Sequence, residues 1–181
     1  MVIKPAKSNP GDPQKPALLV IDVQRGLFER DIPVYKADAL ISNILELVYC
    51  AHEANVPVIY IQHCNEKTLI KGTNNWKLHP DLHPEPGDWR IEKQNSNAFK
   101  ETELTEKLAS HGIGSVVASG LVTHGCVKNT CLGGMDNGFQ VILAGDAHSN
   151  FSKDAPRLIR KWNKFLAEKG VMVKEAAEIQ F

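Results

Sequence analysis

The hydrophobic and polar positions of this chain form two kinds of segment, short apolar runs and longer stretches with helical spacing. The apolar runs predict strands at residues 17–22, 57–61, 116–120, 140–144 and 171–173, and the short alternating run W-R-I-E predicts another at residues 89–92. Apolar side chains recur every three or four positions in segments that begin near Ala37, Leu104, Val127 and Pro156. Such spacing predicts amphipathic helices. Strands that alternate with helices favour a mostly parallel sheet covered by helices on both faces, a three-layer α/β fold.

Two regions fall outside this alternation. Residues 1–15 are polar and rich in proline, which predicts a flexible N-terminal arm. Residues 63–88 have no clear periodicity and are too many for an ordinary connection, so we expect a functional lid there. The remaining chain, residues 16–181, is long enough to bury one sizeable core and is expected to form a single domain.

Composition narrows the function classes. The 181 residues carry 21 basic and 21 acidic side chains, so neither nucleic acid nor an anionic membrane is an expected partner. No apolar run is long enough for a membrane span and the N-terminus lacks a signal-peptide stretch, which favours a cytoplasmic protein. The cysteines show neither metal-type spacing nor a secretory context, so reduced thiols are expected. They are Cys50, Cys64, Cys126 and Cys131.

Three ionisable residues lie at or just after the carboxyl ends of predicted strands. Asp22 ends the first strand, Lys93 follows the third, and Cys126 comes after the fourth and just before a helical segment. Taken singly, each has an ordinary interpretation as a helix cap, a solvated charge or a small buried side chain. Because the carboxyl ends of parallel strands share one edge, the three together indicate a thiol nucleophile with a base and a cation. A helix N-terminus would also favour a thiolate.

The sequence around these residues resembles the isochorismatase-like cysteine hydrolase superfamily. The motifs are L-V-I-D-V-Q-x-x-x-F at residues 19–28, I-x-K-x-x-x-x-A-F at 91–99 and G-L-V-T-H-G-C-V at 120–127. The resemblance covers the chain from about Pro16 onwards. It implies a Rossmann-like fold with a six-stranded sheet, and commonly a homo-dimer or homo-tetramer.

The resemblance also implies roles for single residues. Asp22, Lys93 and Cys126 match the catalytic Asp, Lys and Cys of the superfamily. The Leu121–Val122 peptide bond would be cis, and the N–H groups of Val122 and Cys126 would form an oxyanion hole.

Five further residues are candidates for substrate contacts. Phe28 and Trp76 would form apolar walls, with core packing as an equal alternative. Gln24 and Thr123 would supply polar contacts. His63 lies near the predicted site edge, where a structural role is at least as plausible.

We expect neither a cofactor nor a metal. The chain has no G-x-G-x-x-G after a strand and no P-loop, which argues against a dinucleotide. Nicotinamidases of the superfamily hold a metal through an Asp and several His after the second strand, but residues 62–66, Q-H-C-N-E, lack the D-x-H pattern. His79 and His83 each precede a proline, which disfavours the helix that would align them as ligands.

The resulting hypothesis is a hydrolase that cleaves a C–N bond of the amide type in a small molecule through a thioester. Three alternatives stay open: isochorismatase-type hydrolysis of a vinyl ether, a non-catalytic relative, and a thiol redox protein in which Cys131 resolves an oxidised Cys126. Superfamily isochorismatases do not depend on a thiol nucleophile, so the presence of Cys126 favours the amide reaction.

Overall fold

The computed structural model describes residues 14–151 and 153–181. Most of the predicted N-terminal arm, residues 1–13, therefore lies outside the described residues. The strands are β1 Pro16–Ile21, β2 Val58–His63, β3 Trp89–Lys93, β4 Ser115–Leu121, β5 Gln140–Ser149 and β6 Met172–Lys174. The α-helices are α1 Arg25–Phe28, α2 Ala37–Glu53, α3 Leu104–Ser110, α4 Lys128–Asp136 and α5 Ala155–Glu168. A π-type turn, Thr123–Val127, precedes α4, and a 3₁₀ turn, Ala176–Glu178, follows β6.

The strands form one parallel sheet in the order β3-β2-β1-β4-β5-β6. The predicted six-stranded α/β architecture is confirmed. Strand β1 is central because its apolar side chains at residues 17–21 are buried on both faces of the sheet. Helix α2 packs on one face, and α3, α4 and α5 pack on the other. In the described part of the chain, no helix is both long and apolar enough to span a membrane.

Strands β1 and β4 come unusually close at their carboxyl ends. Gly120 pairs in register with Ile21 and has a φ of 110°, a conformation that suits glycine. A Cβ atom at Gly120 would collide with the backbone carbonyl of Ile21. The glycine therefore lets the turn after β4 lie directly beside Asp22, the residue that follows β1.

Strand β5 is longer than the pattern predicts. The apolar run ends at Ala144, but pairing with β4 continues to Ser149. A register shift makes this possible, since Ala118 and Gly120 on β4 pair with Leu143 and His148 on β5. The extra residues of β5 form a bulge, which carries a polar segment to the carboxyl edge of the sheet. Such a bulge has no hydrophobic signature in the sequence.

Candidate active site

Four adjacent strands each bring one ionisable side chain to the carboxyl edge of the sheet. Lys93 ends β3, His63 ends β2, Asp22 directly follows β1, and Cys126 lies in the turn after β4. The strand order β3-β2-β1-β4 therefore fixes the order of these groups in space. This edge is where ligands bind in open parallel sheets.

Lys93 is the centre of the cluster. Its Nζ atom lies 2.8 Å from Asp22 Oδ2, 3.2 Å from His63 Nδ1 and 3.3 Å from Cys126 Sγ. The Lys93 side chain is 0% exposed and that of Asp22 is 4% exposed. An ammonium group has three N–H donors, and each finds an acceptor here. A buried charge is tolerated only with such pairing, so the ion pair is an integral part of this edge.

Among the described residues, none forms a hydrogen bond with one of the two carboxylate oxygens of Asp22. Its backbone lies in the left-handed region with a φ of 53°, and its N–H donates to Ile61 O at 2.8 Å. Lys93 holds Oδ2, whereas buried Oδ1 has no hydrogen-bond partner among the described residues. An unpaired carboxylate oxygen beside a thiol is positioned to accept a proton.

The turn that carries Cys126 has an irregular backbone. The Leu121–Val122 peptide bond is cis, in agreement with the sequence-based expectation. The Val122 carbonyl accepts the N–H groups of Gly125, at 3.0 Å, and Val127, at 3.3 Å. Gly125 has non-helical dihedral angles, φ −112° and ψ −107°. Cys126 is thus placed in a π-type turn ahead of α4, not in the first turn of the α-helix itself.

The protonation state of Cys126 differs from the expectation of a resting thiolate. Burial raises the pKa of the Cys126 thiol to about 12, and the nearby Asp22 carboxylate adds to the increase. Lys93 acts in the opposite direction but does not offset the other two effects. The resting sulfur is therefore a neutral thiol, because desolvation outweighs the attraction of one ammonium group. Its proton has to leave during the reaction.

Two of the predicted substrate contacts have other roles. The carboxamide of Gln24 is fully buried; it accepts the His63 N–H at 2.8 Å and donates to His63 O and Trp76 O. The Thr123 hydroxyl is buried as well; its Oγ1 lies 2.9 Å from Ser149 O and 2.8 Å from His148 Nδ1. Both side chains use their polar atoms within the protein, and their contact with substrate stays a prediction.

The two predicted aromatic walls are half-buried. The ring of Phe28 packs edge-on against His79, with centroids 4.5 Å apart. The Trp76 indole N–H donates to Cys64 Sγ at 3.1 Å. Both rings also pack against the core on the α2 side of the sheet. Their contact with substrate stays a prediction.

The aperiodic segment lies against the carboxyl ends of β1 and β2. Gln24 and Leu78 form an isolated bridge, and His79 N–H donates to Val23 O at 2.9 Å. Trp76 O accepts side-chain amides from both Gln24 and Gln62. These bonds attach residues 74–79 to the site edge, which is the place where a lid would have to lie.

The same edge of the sheet holds three side chains of the types that bind metal ions. Within residues 14–151 and 153–181, Asp22, His63 and Cys126 are the one group of three potential ligands, with donor atoms within 4.8 Å of one another. The amino group of Lys93 lies within hydrogen-bonding distance of all three and occupies the space between them. His79 instead lies beside Phe28 and Asp81. The arrangement fits an ammonium group better than a metal ion.

A second buried network, which the sequence pattern does not predict, lies behind the turn that carries Cys126. His148, on the extension of β5, lies 2.8 Å from Thr123 Oγ1 through Nδ1 and 2.7 Å from Asn163 Oδ1 through Nε2. Burial lowers the pKa of His148 to about 4. Behind the same turn, His124 Nδ1 lies 2.7 Å from the side-chain amide of buried Asn150. Both contacts depend on the β5 bulge, and the sequence pattern does not predict that bulge.

A parallel α/β sheet with a carboxylate, an amine and a thiol at its carboxyl edge defines a protein of the cysteine hydrolase type. The isochorismatase domain profile matches residues 16–159, most of the chain. The protein therefore belongs to the isochorismatase family of hydrolases.

Individual relatives have different activities. A probable isochorismatase of Pseudomonas chlororaphis is 30% identical over 159 residues, which cover 79% of this chain and 75% of that protein. Nicotinamidase 3 of Arabidopsis thaliana is 26% identical over 154 residues, covering 76% and 75%. The crystal structure of N-carbamoylsarcosine amidase from Thermoplasma acidophilum superposes with a TM-score of 0.80 at 22% identity and covers 92% of this chain and 99% of its own. The family is thus defined, while the reaction is not.

Proposed function

We propose that this protein hydrolyses a C–N bond of the amide type in a small molecule, with Cys126 as nucleophile, Asp22 as general acid–base and Lys93 as the supporting cation. The observation that carries the proposal is the placement of Lys93 Nζ 2.8 Å from Asp22 Oδ2 and 3.3 Å from Cys126 Sγ. Similarity to a nicotinamidase supports the same reaction class.

In the first step the neutral Cys126 thiol has to lose its proton. As Cys126 Sγ attacks the substrate carbonyl carbon, the thiol proton passes to Asp22, whose Oδ1 is free to accept it. Lys93 stays beside both groups and stabilises the negative charge that moves from carboxylate to sulfur to substrate. Proton transfer during attack explains why a raised thiol pKa is compatible with activity.

The tetrahedral intermediate carries a negative oxygen. We assign its stabilisation to the N–H groups of Val122 and Cys126, in the turn after the cis peptide bond. One such donor typically contributes roughly 3–4 kcal/mol to lowering the barrier. When the intermediate collapses, the C–N bond breaks and the nitrogen leaves with the proton held by Asp22. The acyl group remains on Cys126 as a thioester.

Water completes the cycle. Asp22 accepts a proton from the water molecule that attacks the thioester carbonyl, and the C–S bond breaks. The departing sulfur takes the proton back from Asp22, which restores the thiol and the carboxylate. The products are a carboxylic acid and ammonia or an amine, so no further reactant is needed.

The test is a substrate panel assayed for ammonia or amine release. Aliphatic amides, aromatic amides, lactams and carbamoyl compounds would each be incubated with the wild type and with Cys126→Ala. We expect one class to be turned over by the wild type alone. Absence of release from every class, or equal release by the variant, would contradict the proposal.

The second candidate is hydrolysis of a vinyl ether, favoured by the 30% identity to a probable isochorismatase. This reaction protonates a carbon atom and requires no thiol nucleophile. Isochorismate would be added to the same panel, with the carbonyl product as readout. Turnover that persists in Cys126→Ala would favour this second function over the first.

A further inference from the structure

The strand order places His63 between Lys93 and Asp22, so a contact between these two residues has to pass over His63. Lys93 is on β3 and Asp22 follows β1, with β2 between them. Neighbouring strands are about 4.8 Å apart, so the Lys93 side chain has to extend over the end of β2. His63 is the last residue of β2 and pairs in register with Lys93.

The backbone of His63 is fixed from a third element. The buried carboxamide of Gln24, just after β1, accepts the His63 N–H at 2.8 Å and donates to the His63 carbonyl at 3.1 Å. These two bonds connect Gln24 to His63 as a strand neighbour would. The imidazole is therefore held at the centre of the site edge without using its own nitrogen atoms.

The ring supplies the third acceptor for the Lys93 ammonium. Asp22 Oδ2 accepts one N–H, Cys126 Sγ accepts a second, and His63 Nδ1, at 3.2 Å, accepts the third. A buried ammonium with an unsatisfied N–H loses much of its stabilisation. Without His63, Lys93 would retain only its partners on the β1 and β4 side.

We propose that His63 is a positioning residue which, as a neutral imidazole accepting a hydrogen bond at Nδ1, holds the Lys93 ammonium beside the Cys126 thiol. The inference rests on the proposed function, in which Lys93 supports the nucleophile. It replaces the sequence-based expectation that His63 contacts substrate.

The proton distribution on the ring follows from this contact. An Nδ1 that accepts from Lys93 carries no proton, so the proton is on Nε2. Burial and the charge of Lys93 lower the pKa of His63, and the opposing attraction of Asp22 is smaller. The neutral form that the contact requires is thus the form favoured by its surroundings.

The test measures alkylation of Cys126 by iodoacetamide, which needs no substrate and stays informative even if amide hydrolysis fails. Rates would be measured by mass spectrometry at pH 8 to 10 in the wild type, His63→Leu and His63→Asn. Leucine removes the acceptor, whereas the Oδ1 atom of asparagine can lie where Nδ1 was. Exposed Cys50, alkylated in the same molecule, controls for the reagent, and buried Cys131, which should stay unlabelled, controls for unfolding.

We expect Cys126 in His63→Leu to react roughly tenfold more slowly, the effect of one hydrogen bond to a charged group, and His63→Asn to stay within about twofold of the wild type. With a hydrolysed substrate, His63→Leu should lower kcat while KM stays within about twofold. A wild-type rate in His63→Leu, or equal slowing in both variants, would overturn the inference. A raised KM with unchanged alkylation would make His63 a substrate contact instead.

Discussion

Two regions with buried titratable side chains lie on opposite sides of the Cys126 turn, and burial is tolerated in a different way in each. On the β1 side, Lys93 and Asp22 form an ion pair with side chains 0% and 4% exposed. On the β5 side, burial keeps His148 neutral, with its pKa lowered to about 4, between Thr123 and Asn163. Both arrangements touch the same turn.

The difference in charge between the two regions corresponds to a difference in role. A buried ion pair is often no more stabilising than apolar side chains of the same size, so a fold has little reason to keep one for stability alone. A neutral hydrogen-bonded histidine has a lower desolvation cost and fixes geometry. We therefore assign reactivity to the charged side of the turn and rigidity to the neutral side.

The largest expected effect comes from removing the thiol between the two regions. Cys126→Ala should lower turnover by roughly 10⁴-fold or more, as loss of a nucleophile does in other hydrolases. Cys50→Ala, at an exposed position on α2, is the matched control and should leave turnover unchanged. Steady-state rates on the substrate found in the panel decide the point. Near wild-type rates in Cys126→Ala would end the assignment.

The charged side can be tested through stability as well as activity. Lys93→Met leaves the Asp22 carboxylate buried without its partner, and we expect the free energy of unfolding to fall by roughly 3–5 kcal/mol. The double variant Lys93→Met/Asp22→Leu removes both charges and should regain most of that loss while remaining inactive. Urea denaturation and turnover would be measured together. If the double variant is as unstable as the single one, the ion pair stabilises the fold by itself, and the assignment of reactivity alone to the charged side is wrong.

Because His148 is buried as a neutral group, we expect the stability of the fold to decrease in acid. Between pH 6.5 and pH 4 the unfolded chain protonates His148 but the folded chain does not, so protons favour unfolding in that window. The contribution of His148 is fully present above pH 6.5, and lowering the pH to 4 should remove about 3 kcal/mol. Urea unfolding at several pH values checks this. In His148→Gln this part of the pH dependence should vanish; an unchanged slope would mean that other groups cause it.

The smallest expected effect concerns metals. Because the Lys93 amino group lies among the three potential ligands, exhaustive EDTA treatment should leave turnover within about 20% of the untreated enzyme. Activity would be measured before and after chelation and after adding zinc or manganese. Loss on chelation that either metal restores would show that the enzyme depends on a metal ion and would contradict this expectation.

The sequence predicted the sheet and the meeting of Asp22, Lys93 and Cys126 at one edge for the same physical reason. Runs typical of strands end at Asp22 and Lys93, so they indicate both the strand and the edge at which each side chain emerges. The sequence pattern could not predict the raised pKa of Cys126, because desolvation depends on packing from segments distant in the chain. Nor could it predict the His148 network, which depends on a bulge with no periodic signature. The internal hydrogen bonds of Gln24 and Thr123 were not predicted, because the sequence does not show whether a polar side chain near a site bonds to substrate or to the backbone.

The most direct measurement is a search for the acyl-enzyme. The wild type would be mixed with its amide substrate, quenched in acid during steady turnover, digested and analysed by mass spectrometry. We expect the peptide containing Cys126 to gain the mass of the acyl group, hydroxylamine to remove it, and the peptides with Cys50, Cys64 and Cys131 to remain unmodified. Steady turnover in Cys126→Ala, with no acyl adduct on the wild-type Cys126 peptide, would rule out Cys126 as the nucleophile.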